Sequence, residues 1–338
     1  LSRINGLLAK DFSNAEINPD ADFIFAGDVS KWIQFSNSLK LKLMLRLSET
    51  PSYNNADVLA FVNSADLLQE SAQIPGSIFE NKDGKRHPMA EFEAGSAGYL
   101  TTNVIASKTL LQYLVDNSDP RLDKIYVAPA SGHRGAFQGD FDSDEDSDGN
   151  TTLDEKEAYS TMSFPFDMNI PLISLWETEF HQAEVFARAG MHAEAKAHYE
   201  NGVNASLAAH GVANTITVDG GYAKWVDGSV EEEIKQISMQ KWVANAKYQH
   251  WESFLERNRT KYPSVNEIDV AADRKSAWVN FPVGDFTISV KGRAKLQGNL
   301  PASAIYPNAI LTRNTSPTKP SQKDNVGQKV WWNLKAGK

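Results

Sequence analysis

The chain has 338 residues, of which 41 % are hydrophobic and 10 % are aromatic, a composition typical of a globular protein with ample core material. It contains no cysteine, which excludes disulfides, thiol catalysis and thiolate-bound zinc or iron–sulfur centres. The formal net charge of −9 and the lack of any block rich in Lys and Arg argue against nucleic acid as a partner.

The first ten residues have the spacing of an amphipathic helix and show no feature of a signal peptide or a lipid-attachment sequence. The chain also starts without Met, so we expect a fragment whose N-terminal part, with any lipid anchor, is missing. There is no run of 18 apolar residues, and no segment is therefore expected to span a bilayer.

Hydrophobic spacing and capping residues predict helices along the first third of the chain. Residues 29–48 follow Asp28, a typical N-cap, although the alternation within residues 39–47 is equally typical of a strand. Residues 57–68 and 107–115 are predicted to form short amphipathic helices.

Residues 144–155 read DEDSDGNTTLDE and match the D-x-[DN]-x-[DN]-G-x5-E calcium loop at every specified position. The surrounding stretch, 140–155, holds eight acidic residues and no Lys or Arg. An oxygen-only set of this kind is what Ca²⁺ prefers. The predicted ligands are the side chains of Asp144, Asp146 and Asp148, the backbone carbonyl of Asn150, a hydroxyl or bridging water at Thr152, and the bidentate carboxylate of Glu155.

The alternative for this stretch is a solvated acidic loop that binds no metal. Residues 132–139 predict a loop where an EF-hand has a helix, and position 8 of the loop is Thr151 in place of an apolar residue. We therefore expect a solitary structural Ca²⁺ site set in a long connection, not a calcium sensor.

Residues 175–207 have the pattern of a tetratricopeptide-type helical hairpin. With Gly190 as the turn glycine, the pattern places small and aromatic residues where two helices approach closely: Ala183, Phe186, Ala195, Tyr199 and Gly202. The Pro expected after the second helix is replaced by Leu207, and an ordinary helical hairpin remains the alternative.

A capping box at residues 229–232 opens a predicted long helix. Its apolar stripe comprises Ile234, Ile237, Trp242, Val243, Ala246, Trp251, Phe254 and Leu255. After Pro263 the prolines recur so often that we expect mostly loops with short strands or turns.

Several short phrases occur in one order along the chain. They are GDVSKW at 27–32, NSLKLK at 37–42, DPRL at 119–122, the hairpin at 179–199, ERNRTKYP at 256–263, IYP at 305–307 and VWW at 330–332. Together they resemble the SusD/RagB family of nutrient-binding outer-membrane lipoproteins of Bacteroidetes. The match spans nearly the whole chain.

The resemblance implies a mainly α-helical fold with a tetratricopeptide-like repeat core, long loops and short β pieces, and it favours a helix at residues 29–48. It implies a single domain over residues 1–338, with a calcium-loop insertion at 140–155 and an irregular C-terminal region, 264–338, packed on the helices. The implied function is that of a non-catalytic lipoprotein on the extracellular face of the outer membrane. Such a protein binds a polysaccharide, or in some members a peptide, and delivers it to a SusC-like TonB-dependent transporter.

Packing or buried polar roles are implied for Trp32, Arg121, Arg257 and Tyr262, because large aromatic residues at helical spacing usually lie in the core. Ligand residues vary within the family and usually lie on loops, where exposed aromatic rings stack on sugars.

The candidates of this kind are Phe92 and Tyr99 in the segment 91–99, and Trp225 in the segment 220–228. Glycine near both ends of a segment predicts an exposed loop. A loop aromatic that packs against the body of the protein is the alternative for all three.

Two other function classes are weighed against the nutrient-binding prediction. A glycoside hydrolase needs paired carboxylates, but Glu177 with Glu179 and Glu231 with Glu233 lie on predicted helix faces, where solvated charge is the ordinary explanation. His192 and His198 are six residues apart on a helix and should point to different faces, which argues against a shared metal. A tetratricopeptide-like scaffold that binds a peptide or protein partner is the third possibility.

Overall fold

The computed structural model describes residues 1–11, 18–94, 104–136, 159–266, 281–288 and 290–337. Helices dominate these ranges: α1 (Ser2–Leu8), α2 (Val29–Arg46), α3 (Asn55–Ser64), α4 (Pro88–Ala94), α5 (Lys108–Asp116), α6 (Leu122–Ile125), α7 (Leu175–Arg188), α8 (His192–Ala209), α9 (Val230–Asn245), α10 (His250–Thr260), α11 (Val290–Leu296) and α12 (Asn308–Arg313). Within the ranges given, no helix combines the length and the apolar character needed to cross a membrane.

Side-chain caps fix the starts of the early helices. Asp28 accepts hydrogen bonds from two backbone N–H groups in the first turn of α2, and Ser107 accepts one in the first turn of α5. Residues 39–47 lie in α2 or its C-cap and not in a strand, which confirms the helical prediction for that segment. The helix predicted at 57–68 is shifted toward the N-terminus. Asn54 is its N-cap, so α3 begins at Asn55, and it ends at Ser64.

The hairpin of α7 and α8 is the centre of the fold. Gly190 has a φ of +70° at the turn, a conformation that glycine adopts without steric cost. Ala183 and Ala195 are fully buried between the two helices. A Cβ on Gly202 would lie 2.8 Å from the ring of Phe180, so this position requires glycine for the close approach. The predicted small positions of the hairpin are therefore confirmed.

Both predicted aromatic residues of the hairpin are buried. Tyr199 packs on Phe180 with 6.1 Å between ring centroids, and its hydroxyl donates to the carbonyl of Ala223 at 2.8 Å. Phe186 stacks on His198 with centroids 5.2 Å apart. These rings join the main hydrophobic core, which also draws side chains from α2, α3 and α9.

The capping box at the start of α9 forms as predicted, but the single long helix does not. The chain breaks after Asn245, Lys247 adopts a φ of +74°, and α10 begins at His250. Asn245 accepts a hydrogen bond from the indole of Trp176 at 3.1 Å, and Gln249 accepts one from Ser174 at 2.8 Å. These hydrogen bonds to the start of α7 hold the linker between α9 and α10 in a non-helical conformation.

Ion pairs fill the space between α2, α7, α9 and α10. Arg259 is fully buried and contacts Glu184 at 2.6 Å and Glu256 at 2.7 Å. Lys241 also contacts Glu256, at 2.9 Å. Because every one of these charges has a partner of opposite sign, the helices can bury them.

Two of the anchors implied by the family resemblance, Arg121 and Trp32, pack as expected, whereas Tyr262 is only half-buried and donates its hydroxyl to Glu231 at 2.7 Å. Arg121 is fully buried and pairs with Asp119 at 2.6 Å, and both groups contact the hydroxyl of Tyr222. Trp32 packs edge-on against Phe25, with ring centroids 5.1 Å apart.

Within the described ranges, three two-stranded sheets lie around the helices. Their strands are β1 (Ala72–Ile74), β2 (Tyr126–Val127), β3 (Thr161–Met162), β4 (Ile170–Ile173), β5 (Val265–Asn266) and β6 (Phe286–Thr287). β1 pairs antiparallel with β4 through a bulge at its start, β2 pairs antiparallel with β3, and β5 pairs parallel with β6. The sheets are short, as expected for a mainly α-helical protein.

The C-terminal region contains the short helices α11 and α12, whereas mostly loops with short strands or turns were predicted. It contacts the helical body through polar side chains. Asn333 donates to Asn258 at 3.2 Å and accepts from Lys261 at 2.8 Å, and all three side chains are buried.

Candidate functional site

Two adjoining cavities follow one side of α10. The first, of about 440 Å³, lies between α5, β2, β3, α9 and α10, and its wall is mostly apolar. The second, of about 340 Å³, lies between α10 and the C-terminal region and reaches Pro301. His250, Ser253 and Phe286 line both cavities, so the described residues form one continuous depression.

Trp251 lines neither cavity itself, but it follows His250, which lines both, and it is 76 % exposed. It lies in the first turn of α10 and contacts Phe254 edge-on, with 6.1 Å between ring centroids. Phe254 lines the second cavity. An indole left this open is unusual, because Trp is highly buried on average. Most of the indole is therefore open to a ligand.

The geometry of α10 explains why Trp251 is exposed. Glu252, Glu256 and Arg259 share one face of the helix at spacings of three and four, and that face enters the buried ion pairs. Trp251 lies off that face. The prediction that Trp251 belongs to a packed apolar stripe is therefore wrong, and the residue was missed as a ligand candidate. The spacing of the charged residues was the available signal, but a sequence does not show which face of a polar helix is buried.

A second exposed indole lies in the C-terminal segment beside α10. Trp331 is 70 % exposed, and the neighbouring Trp332 packs beneath the guanidinium of Arg46 at 5.1 Å. Arg46 in turn donates to Glu252 at 3.1 Å, the residue that follows Trp251. Contacts of fixed geometry thus connect the segment that carries Trp331 to the first turn of α10.

Polar groups of the depression come from α10 itself. Arg257 lines the second cavity, and its Nε donates to the carbonyl of Pro263 at 3.2 Å. Its Nη2 has no hydrogen-bond partner within the described part of the chain. Burial lowers the pKa of Arg257 to about 10, so the guanidinium stays charged at neutral pH. Arg257 is the buried anchor that was predicted, and its unpartnered Nη2 is itself buried.

Trp225 differs from its prediction as an exposed loop residue. Its ring is only 5 % exposed and packs on Tyr199, with centroids 5.1 Å apart. The loop folds back on itself, because Ala223 donates its N–H to the carbonyl of Ile216 at 2.9 Å and accepts the hydroxyl of Tyr199. This places the indole in the core, and the exposure that ligand stacking requires is absent.

The other two predicted ligand aromatics have different outcomes. Phe92 is 58 % exposed, as expected, but it lies on the short helix α4 and not on a loop. Tyr99 lies outside the described residues. The predicted calcium ligands lie outside them as well: Asp144, Asp146, Asp148, Asn150, Thr152 and Glu155.

The histidines of α8 bind separate carboxylates. His192 Nδ1 lies 2.5 Å from Glu233 Oε1, and His198 Nδ1 lies 2.7 Å from Glu179 Oε2. The prediction that these two histidines face apart is confirmed.

Three of the four carboxylates considered for hydrolysis, Glu177, Glu179 and Glu233, are buried and not solvated as expected. Glu177 and Glu233 are 0 % exposed, and Glu177 is held by Lys42 at 2.9 Å. None of the four carboxylates considered lines either cavity.

A family model described as starch-binding associating with the outer membrane, of SusD-like type, matches residues 2–281. No curated protein sequence matches the chain significantly.

Several solved structures share the fold. A chitin-binding protein has a TM-score of 0.68 and 19 % identity, over 99 % of this chain and 71 % of that chain. A SusD homologue from Bacteroides uniformis has a TM-score of 0.71 and 21 % identity, over 99 % and 71 % of the two chains. A SusD homologue from Bacteroides thetaiotaomicron has a TM-score of 0.64 and 21 % identity, over 98 % and 72 %.

The likeness to these structures confirms the predicted mainly helical, tetratricopeptide-like fold. The family match spans most of the chain, from the first helix to the segment that precedes β6. The protein therefore belongs to the SusD-like family, whose members are non-catalytic binding proteins associated with the outer membrane.

Proposed function

We propose that this protein binds a glycan on the extracellular face of the outer membrane, with Trp251 as its principal aromatic contact. The observation that carries this proposal is the 76 % exposure of the Trp251 indole beside two joined cavities. The apolar face of a pyranose ring can lie against the exposed indole, which contributes apolar contact over a large, rigid area. The proposed function is the one expected from the sequence, but the proposed binding residue, Trp251, is not one of the predicted candidates.

Hydrogen bonds would supply the selectivity of such a site. Arg257 lines the second cavity, and Ser253 lines both cavities. Sugar hydroxyls accept from guanidinium and hydroxyl donors, and bonds to a charged donor are the stronger ones. A glycan stacked on Trp251 can therefore place a hydroxyl-rich edge toward Arg257.

The class of glycan is a second step of the proposal. The family description names starch, and one protein of similar fold is named as chitin-binding. Both are chains of pyranose rings, and each ring has apolar faces and edges rich in hydroxyl groups. A ring face can lie on one indole while the hydroxyl groups contact the polar residues beside it. Soluble oligosaccharides of these two types are the first ligands to test.

A SusC-like TonB-dependent transporter is the proposed receiver of the glycan, and a lipid anchor is the proposed attachment to the membrane. The association of the family with the outer membrane supports both proposals. A surface protein that binds without catalysis needs a transporter to carry its ligand across the membrane. Co-purification of the full-length protein with a transporter from outer membranes would test this assignment.

A structural Ca²⁺ ion at residues 144–155 is also part of the proposed function. The complete agreement of this segment with the calcium-loop pattern supports it. Bound Ca²⁺ would neutralise the acidic segment and stabilise the connection between β2 and β3 by mass action.

Glycan-array screening of the purified chain tests the proposed activity directly. Binding without release of product supports a glycan-binding protein, and release of shortened oligosaccharides would identify a hydrolase. Failure to bind any glycan at millimolar ligand would refute the proposal. The tetratricopeptide-like scaffold that binds a peptide or protein would then be the better account.

A further inference from the structure

The structure brings His192, Asp227 and Glu233 together although they lie in three different segments. His192 is the first residue of α8, Asp227 lies in the loop before α9, and Glu233 lies in the first turns of α9. One candidate ligand atom from each residue lies within 4.8 Å of the other two. We propose that these three side chains bind a divalent transition-metal ion such as Zn²⁺.

Glu233 provides the strongest reason to infer a cation. Its side chain is completely buried, and its Oε2 has no hydrogen-bond partner among the described residues. Its Oε1 accepts from the backbone N–H of Gly228 at 3.3 Å and contacts His192. A buried carboxylate oxygen without a partner is costly, and a metal ion bound there removes that cost.

The loop that carries Asp227 is held in a fixed position. Gln236 of α9 donates to the carbonyl of Val226 at 2.8 Å and accepts from the N–H of Val226 at 3.0 Å. The indole of Trp225 donates to Asp227 at 2.8 Å, in the manner of the outer hydrogen bonds that orient metal-binding carboxylates. The burial of Trp225 therefore positions one of the proposed ligands.

The ligand set selects the kind of metal. An imidazole nitrogen with two carboxylates suits Zn²⁺ and related ions, whereas Ca²⁺ and Mg²⁺ prefer oxygen alone. Neutral His192 with two carboxylates carries two negative charges, which a divalent ion balances. A tetrahedral zinc site places ligand atoms roughly 3.3 Å apart, so the contact of 2.5 Å between His192 and Glu233 must open slightly. His192 is half-exposed and can move by this amount.

Binding would link the start of α8, the loop at 211–229 and the start of α9. The metal would clamp this loop, and with it the buried Trp225, onto both helices. Three protein ligands leave a fourth position for water or for a side chain of a partner. The site lies on residues other than those of the proposed glycan site and does not depend on glycan binding.

Zinc titration by calorimetry, with the chain kept in excess CaCl2 to occupy the acidic loop, tests the proposal. We expect one tight Zn²⁺ per chain in the wild type. His192→Gln and Asp227→Asn replace exposed side chains, and each should weaken binding roughly 100-fold or more, since even outer partners of a metal ligand contribute 10- to 100-fold. The thermal midpoint should rise with Zn²⁺ in the wild type and not in these variants.

His198→Gln is the matched control. His198 lies on the same helix and pairs with a carboxylate at 2.7 Å, but it belongs to no group of three ligands among the described residues. This variant should bind Zn²⁺ like the wild type, and bound Co²⁺ should show the same visible absorption in both. The proposal is overturned if the wild type binds no Zn²⁺, if His192→Gln and Asp227→Asn bind as well as the wild type, or if His198→Gln loses binding equally.

Discussion

Replacement of Arg259 by Met should destabilise the fold strongly, because it removes one cation from a buried group of ion pairs. The guanidinium donates to both oxygens of Glu184 at 2.6 Å, and to Glu256 at 2.7 Å. The side chains of Glu184 and Glu256 are only 3 % and 10 % exposed. Met keeps an unbranched side chain of similar length, so the lost charge dominates the effect.

The magnitude follows from two considerations. Removal of one partner from a buried ion pair costs about 3–5 kcal/mol. Burial raises the pKa of Glu184, but the charges of Arg259 and Arg188 outweigh burial and hold that pKa at about 2, against an ordinary 4.5. At 1.36 kcal/mol for each pKa unit this shift corresponds to about 3 kcal/mol, shared between the two arginines. Loss of Arg259 removes part of this stabilisation and also leaves Glu256 with one partner fewer. We therefore expect a loss of about 3 kcal/mol at pH 7, the lower end of the range for a broken buried ion pair.

The pH dependence has a definite sign. The folded pKa of Glu184 lies below its unfolded value, so the stabilisation is present above about pH 4.5 and is lost as the pH falls toward 2. In Arg259→Met the pKa of Glu184 rises toward its ordinary value. The difference in stability between wild type and variant should therefore narrow between pH 7 and pH 3.

Urea unfolding followed by circular dichroism at both pH values, at constant CaCl2, measures the two free energies of unfolding. Arg313→Met is the matched control, because Arg313 is exposed on α12 and its replacement should change stability by less than about 0.5 kcal/mol. A stabilising role for the buried charge of Arg259 is refuted if Arg259→Met is as stable as the control at pH 7, or if its difference in stability from the wild type widens on acidification.

Two further predictions concern the helical hairpin and the calcium loop. Gly202→Val should lower the free energy of unfolding by about 1–3 kcal/mol, because the new Cβ would overlap the buried ring of Phe180. Gly6→Val is the control, since nothing lies within 4 Å of that position and the substitution should not destabilise α1. Urea unfolding measures the free energy of unfolding of both variants. In the wild type, Ca²⁺ should raise the midpoint of thermal unfolding. The double substitution Asp144→Ala and Glu155→Ala should abolish that rise. If the rise is unchanged in the variant, the segment is a solvated acidic loop that binds no Ca²⁺.

Local signals predicted much of the fold. Asp28 and the capping box of α9 start helices through bonds to their own first turns, so the sequence nearby was sufficient. The small residues of the hairpin were also predictable, since close helix approach requires Ala183, Ala195 and Gly202 at fixed spacing.

Contacts between distant segments decided what the sequence did not show. The break between α9 and α10 depends on bonds from Trp176 and Ser174, which lie 69 and 75 residues before their partners. The same kind of contact decides the exposure of two tryptophans: Trp225 was predicted to be exposed and is buried, whereas Trp251 was predicted to lie in an apolar stripe and is exposed. Tyr199 draws Trp225 into the core, whereas the buried charges of α10 leave Trp251 in solvent.

The affinity of Trp251→Ala for the glycan that the array identifies is the most direct test of the proposed function. Phe23→Ala is the control, because Phe23 is 54 % exposed and, unlike Trp251, is not next to a residue that lines a cavity. Calorimetric titration should show an affinity at least roughly tenfold weaker for Trp251→Ala, since loss of a Trp anchor typically costs on the order of 2 kcal/mol. Phe23→Ala should bind like the wild type. Equal affinities for Trp251→Ala and the wild type would contradict the assignment of the glycan site to α10.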